Sequence, residues 1–131
     1  MTPGSVSDLK AMLTGLDPEM SSRAWCFHVL DEDGLIPQTA FAVIREAEGT
    51  CAILPAEVAP SSAPRFAKIT LRVQSDLGGV GLTSAVSNTL AMSGIACNVI
   101  AALNHDHLLV PWDHRERAFK LLEKLSLDAR R

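Results

Sequence analysis

The segment Gln74–Thr83, QSDLGGVGLT, gathers residue types suited to holding a small charged molecule. Gly78, Gly79 and Gly81 let a backbone approach a ligand closely. The first amides of a helix beginning at their end would favour a carboxylate. Asp76 could accept an ammonium and Ser75 could offer a hydroxyl, so the set suits a zwitterion. The glycine order is neither G-x-G-x-x-G nor a Walker loop, and no nucleotide is implied. The same residues also read as turn chemistry, with Ser75 or Asp76 capping the helix. A second group is His105-Asp106-His107. Two histidines at i, i+2 on a strand share a face, as in some metal sites, with a third ligand to come from His28, Cys97, Asp106 or His114. No spacing fixes that ligand, and a hairpin turn explains the same residues. In the third, Arg45-Glu46-Ala47-Glu48-Gly49, two carboxylates two residues apart stand beside an arginine, but no nucleophile–base pair accompanies them. A solvated turn with Gly49 at positive φ fits better. Of the cysteines Cys26, Cys51 and Cys97, only Cys97 could meet a histidine, His107, across a hairpin.

These residues need elements to position them. Leu9, Met12, Leu13 and Leu16 mark one face of a short helix capped by Ser7. Strands are predicted at Trp25–Val29, Ala40–Arg45 and Thr50–Leu54, followed by a Pro/Ala/Ser-rich linker over Pro55–Pro64. Ile69, Leu71 and Val73 alternate with polar residues as a half-buried strand. Leu82, Ala85, Val86, Thr89 and Leu90 form a helix face that Gly94 terminates. Ala96–Ala102 and His107–Val110 pair as strands, and Asp113 with Glu116 makes a capping-box start for a last helix carrying Ala118, Leu121, Leu122 and Leu125. From Phe66 onward the order strand, helix, strand, strand, helix is a ferredoxin-like βαββαβ unit without its last strand, which must come from elsewhere. Phe41–Pro55 matches Cys97–Pro111 without gaps at an offset of 56 residues, sharing Val43/Val99, Ile44/Ile100 and Pro55/Pro111. Two related half-units, the first without its middle helix, are expected to complete one sheet.

The whole chain has 131 residues, 12 basic and 15 acidic, and a net charge of −3. That size fits one shared core, and that charge provides no general field for nucleic acid or an anionic membrane. Trp25 and Trp112 have no basic cluster beside them and read as packing aromatics. An odd count of three cysteines without a CxxC pair, and a start lacking signal-peptide character, point to a reducing cytoplasm. Between Leu77 and His105 there is no Asp, Glu, Lys or Arg. Gly94 and the Ser, Thr and Asn residues break this run before it could span a membrane. A helix whose outer positions are Ser84, Ser87, Asn88 and Ala91 is therefore expected to be covered on both sides, the outer one by another unit or by a second copy in a homodimer.

Within Ile69–Pro111, Val80-Gly81-Leu82-Thr83 opens the helix and Ser93-Gly94-Ile95 closes it, followed by Asn98-Val99-Ile100, His105-Asp106-His107 and Leu109-Val110-Pro111. This stretch resembles the ACT domain, in particular the aspartokinase-like ACT pairs of small bacterial proteins. Phe41 and Arg45–Gly49 resemble the matching first half. The resemblance implies an α+β fold of tandem ferredoxin-like units, antiparallel with helices on one face, here divided as 1–63 and 64–131. It implies a non-catalytic regulatory module for an amino acid or similar metabolite, without a cofactor. The sequence departs from the family's usual context in carrying no fused catalytic domain. Carried over residue by residue, it adds Leu77, Gly81, Leu82, Asn98 and Val99 to Ser75 and Asp76 as ligand-binding positions. A small metal-dependent enzyme using His105 and His107, and an assembly domain with no ligand, remain as alternatives.

Overall fold

The computed structural model describes residues 7–60 and 62–131. Its elements are α1 (Leu9–Thr14), β1 (Pro18–Val29), β2 (Ala42–Glu46), β3 (Gly49–Pro55), β4 (Phe66–Leu71), α2 (Leu82–Ala91), β5 (Asn98–Ala101), β6 (Asp106–Pro111) and α3 (Arg115–Ala129). The six strands form one antiparallel sheet in the order β2-β3-β1-β4-β6-β5. Strands one, three and two of each half run outward from the β1/β4 junction, so the two halves have matching topology. The match extends to the exits: Pro55 and Pro111 have nearly equal φ/ψ (−54°/138° and −52°/136°), and each leads into a single 3-10 turn. The first half has no helix between β1 and β2, as the sequence echo implied.

The strand that the second half lacks is β1. It pairs with β3 on one side and with β4 on the other. It is also far longer than the predicted Trp25–Val29, because it begins at Pro18. Pro18, Ser21 and Ser22 are turn-forming types and Glu19 is depleted in strands, which hid this first half. An irregularity accommodates them: between Met20 and Ala24 β1 advances four residues while β4, from Ile69 to Ala67, advances two.

All three helices cover one face. Met12 and Leu16 from the α1 segment, Leu82, Val86 and Leu90 from α2, and Ala118 and Leu122 from α3 share a core with Ile69, Leu71, Leu108 and Val110. The 3.6-residue spacing of these apolar positions and the two-residue spacing along β4 and β6 explain why each element turns that side inward. Gly94 ends α2 at φ 73°, with the Ile95 amide donating to the Leu90 carbonyl at 3.0 Å. The helix starts differ from expectation. Asp8, not Ser7, caps α1 by accepting the Ala11 amide at 2.9 Å. Asp113 and Glu116 form no capping box, because Asp113 is in the 3-10 turn and α3 begins at Arg115 without a side-chain cap. None of the described helices is long and apolar enough to cross a membrane.

Among the described residues of a single chain, only the inner side of α2 is covered. Ser84, Asn88 and Ala91 are exposed, and Met92 is 80% exposed. Ser84, Asn88 and Ala91, with Ile95, Ala96 and Cys97 just before β5, border a groove of about 480 Å³. Among the described residues, the expected cover is therefore not supplied by the chain's own first half.

Candidate ligand site at the start of helix α2

After β4 the chain leaves the sheet with the Arg72 and Val73 amides bonded to the carbonyls of Asp17 and Leu16. Gln74 then ties the loop to the β5–β6 hairpin through its side-chain amide, which donates to Asn104 Oδ1 at 3.3 Å. The loop turns tightly where the Gly79 amide meets the Asp76 carbonyl at 2.9 Å. A Cβ at Gly79 would sit 3.2 Å from Met12 Sδ, and one at Gly81, whose φ is 105°, would sit 3.1 Å from Leu9. The glycines thus let α1 pack directly under the loop. Gly81 is the N-cap of α2 and offers no side-chain cap, so none of the first amides of that helix is taken by one.

Between the loop and the hairpin is a crevice of about 110 Å³. Ser75, Asp76 and Leu77 form its loop side, Leu82 and Thr83 its helix side, Ala101, Ala102 and Asp106 its hairpin side, and Met12 its floor. It has two carboxylates and no basic side chain. Burial pushes the Asp106 carboxyl above its usual pKa, with the nearby His105 opposing that rise. Amides at a helix start favour a negative group, while the two carboxylates favour a positive one. A small zwitterion satisfies both.

Of the seven predicted residues, Ser75, Asp76, Leu77 and Leu82 line this crevice. Gly81 adjoins it as the N-cap. Asn98 and Val99 do not line it. They lie at the far end of β5, where Asn98 donates to the Leu109 carbonyl at 3.3 Å and Val99 packs against the core. Ala101 is the β5 residue that reaches the crevice. Asp106 read as a turn residue in the sequence. Its place opposite Ala101 and Leu71 comes from strand pairing, though its alternation with Leu108 and Val110 was a visible signal of its face.

The other clusters form no comparable site. His105 precedes β6, and its ring lies 6.5 Å from that of His107 and almost perpendicular to it. His107 Nδ1 instead shares a hydrogen bond with Thr70 Oγ1 at 2.9 Å. Among the described residues no three His, Cys, Asp or Glu side chains converge as metal ligands. Ile100, not Cys97, stands opposite His107. Burial raises the Cys97 thiol pKa, and burial together with Glu46 raises that of Cys51. Neither has the lowered pKa of a nucleophilic cysteine. Glu46 and Gly49 close the β2–β3 hairpin as a paired turn, with Gly49 at φ 143°.

Comparison with known proteins places this geometry. Two ACT-domain family models match the chain, over residues 4–68 and 61–124. Among solved structures, a Vibrio cholerae protein of unknown function, described as a possible transport protein, is 34% identical, with a TM-score of 0.75 over 87% of this chain and 92% of that one. An Agrobacterium tumefaciens protein is 18% identical, with a TM-score of 0.64 over 79% and 84% of the two chains. The ligand-free regulatory subunit of aspartate kinase from Thermus thermophilus shares the fold at 8% identity, with a TM-score of 0.62 over 85% and 97%. Among curated proteins no match was found. With its paired half-sheets matched end to end by these two models, the chain belongs to the ACT-domain family.

Proposed function

We propose that this ACT-domain chain binds a small amino acid and transmits its presence to a partner, without catalysing a reaction. ACT domains serve as regulatory ligand-binding modules, and that general role comes to the chain through its family. The finer reading rests on one observation: the uncapped start of α2 faces a crevice that contains Asp76 and Asp106 but no basic side chain. The ligand's carboxylate would take the helix amides and Ser75, and its ammonium the two aspartates. A volume near 110 Å³ favours a small, neutral side chain.

The outer face of α2 and the free edge of β5 fit a homodimer contact, since small uncharged side chains let a second surface approach closely and an unpaired strand edge is a template for pairing. In that arrangement a second copy's Asn98 and Val99 would approach the site from the edge strand. We read 1–63 and 64–131 as the two units, and the three free thiols agree with a reducing cytoplasmic setting. Regulation then follows from differential affinity: a ligand that prefers one arrangement of the pair shifts its population and so alters what a partner sees.

The test is thermal melting of the full chain with each of the twenty amino acids. A small neutral one present at one hundred times its dissociation constant adds about 2.7 kcal/mol, a shift on the order of 10 °C. Aspartate and glutamate should give none, because a further carboxylate meets two others. Asp76→Asn should abolish the shift while the unliganded melt is retained. The reading fails if no amino acid moves the transition, or if Asp76→Asn binds as well as the original chain.

A further inference from the structure

The face of the sheet opposite the helices carries a cation that the fold does not neutralise. Lys68 is in the middle of β4, across from Leu109, on the same side as Phe66 and Thr70. Its ammonium lies 4.1 Å from the centre of the Phe41 ring and 4.7 Å from that of Trp25. Two ion pairs lie nearby on this face, and His107, whose ring is 4.8 Å from that of Phe41, hydrogen-bonds Thr70 rather than meeting Lys68 as a counter-charge. Arg23, 5.9 Å from the Trp25 ring, pairs with Glu57, and Glu19 pairs with Arg72 at 3.0 Å. Lys68 has neither an ion pair nor a hydrogen bond among the described residues. Burial draws its pKa down, and the charge of Glu19, itself paired with Arg72, opposes this. A second donor is also unspent: Trp25 is 6% exposed, and its buried Nε1 has no acceptor.

The surroundings narrow what could answer these donors. Phe27 and Phe66 meet edge to face at 5.4 Å beside Trp25, and Phe27 is 39% exposed. Ile100 extends the apolar surface toward β5. One ammonium and one indole N–H suit a single carboxylate. A phosphate, doubly charged and strongly hydrated, would find too few donors and lose its water against aromatic rings. A zwitterion would bring an ammonium to a surface where Glu19 and Glu57 are already paired. A carboxylate on an apolar body fits both parts of the surface. We propose that Lys68, Trp25 and Phe41 bind the head of a hydrophobic monocarboxylate, a fatty or aryl carboxylate, whose apolar body rests on Phe27, Phe66 and Ile100. This site is on the side of the sheet away from the α2 crevice and does not depend on it.

The chain contains two tryptophans, so Trp112→Phe leaves Trp25 as the only indole reporter. In that background, octanoate and benzoate below aggregating concentrations should change Trp25 emission saturably. Acetate, which carries the charge without the body, and inorganic phosphate should bind at least about tenfold more weakly. Adding Lys68→Met keeps the apolar stem over the rings and should weaken octanoate at least about tenfold, whereas Lys68→Arg should retain most of the affinity. Asp76→Asn should leave the octanoate titration unchanged. The proposal is overturned if octanoate produces no saturable change, if acetate or phosphate binds equally well, or if Lys68→Met binds octanoate as tightly as lysine does. Loss of octanoate binding in Asp76→Asn would also overturn it, by tying the response to the other site.

Discussion

Asp106 has a raised carboxyl pKa, caused first by burial and partly offset by His105. The folded chain therefore holds this proton more readily than the unfolded chain. Between the ordinary aspartate pKa and the raised one, stability falls as pH rises, and the penalty persists above that window. Asp106→Asn is accordingly expected to melt higher than the original chain near neutral pH. Its advantage should vanish below about pH 4, where aspartate is protonated in both states. Melting curves across that range check this, and a lower melting point for the variant at neutral pH would mean that ionised Asp106 makes a favourable contact. A bound ammonium would reverse the local balance, so ligand binding should release protons at mildly acid pH. At this scale the sequence was informative where neighbours in the chain are also neighbours in space. Ser75, Asp76, Leu77 and Leu82 lie within one loop and helix start, and the crevice keeps them together. Asn98 was misleading because Ala101, three residues or roughly 10 Å along the strand, is the one at the crevice.

Helix α1 has only six residues and is too short to be stable alone. It persists because Asp8 caps it and because Met12 and Leu16 are fully buried beneath the sheet's helical layer. Asp8→Ala is expected to cost about 1 kcal/mol, readable in urea unfolding. The loop above α1 offers a sharper comparison. Gly81 and Gly49 both have positive φ, but a Cβ at Gly81 meets Leu9 at 3.1 Å, while one at Gly49 meets nothing within 4 Å. Gly81→Ala should lose about 1–3 kcal/mol, more than Gly49→Ala, and only the former should weaken an amino-acid melting shift. Equal losses would show that backbone strain alone matters and that Leu9 yields freely. Periodicity made α2 and α3 legible, since their apolar positions repeat over several turns. It could not reveal the first half of β1, whose Pro, Glu and Ser residues look like a turn until β4 pairs with them.

The whole molecule presents two free strand edges, β2 and β5, and an uncharged outer helix face beside the second. The homodimer proposed above uses β5 and α2, so Ala91→Arg should place a desolvated, unpaired charge in that contact and give a monomer by light scattering. A chain that is monomeric before substitution, or a variant that stays dimeric, would move the contact elsewhere. Dimerisation also bears on ligand affinity, because Asn98 and Val99 are too far along β5 to serve the crevice of their own chain. If the dimer supplies them, Ala91→Arg should weaken the amino-acid melting shift as well as dissociate the pair.

By itself the sequence determined the local content: where apolar residues repeat at helix or strand spacing, where glycine must turn the chain, and that Phe41–Pro55 and Cys97–Pro111 share one plan. These properties depend on residues close together in the chain, whose backbone preferences and alternation are set by local sterics and burial. Tertiary structure decided that β1 is the strand both halves share, that Asp106 joins Asp76 at one crevice, and that Lys68 meets Trp25 and Phe41 without an ion pair among the described residues. Each of these depends on which strands lie side by side. That choice is made by burying the sheet and helices together, a long-range free energy that no short window of sequence contains.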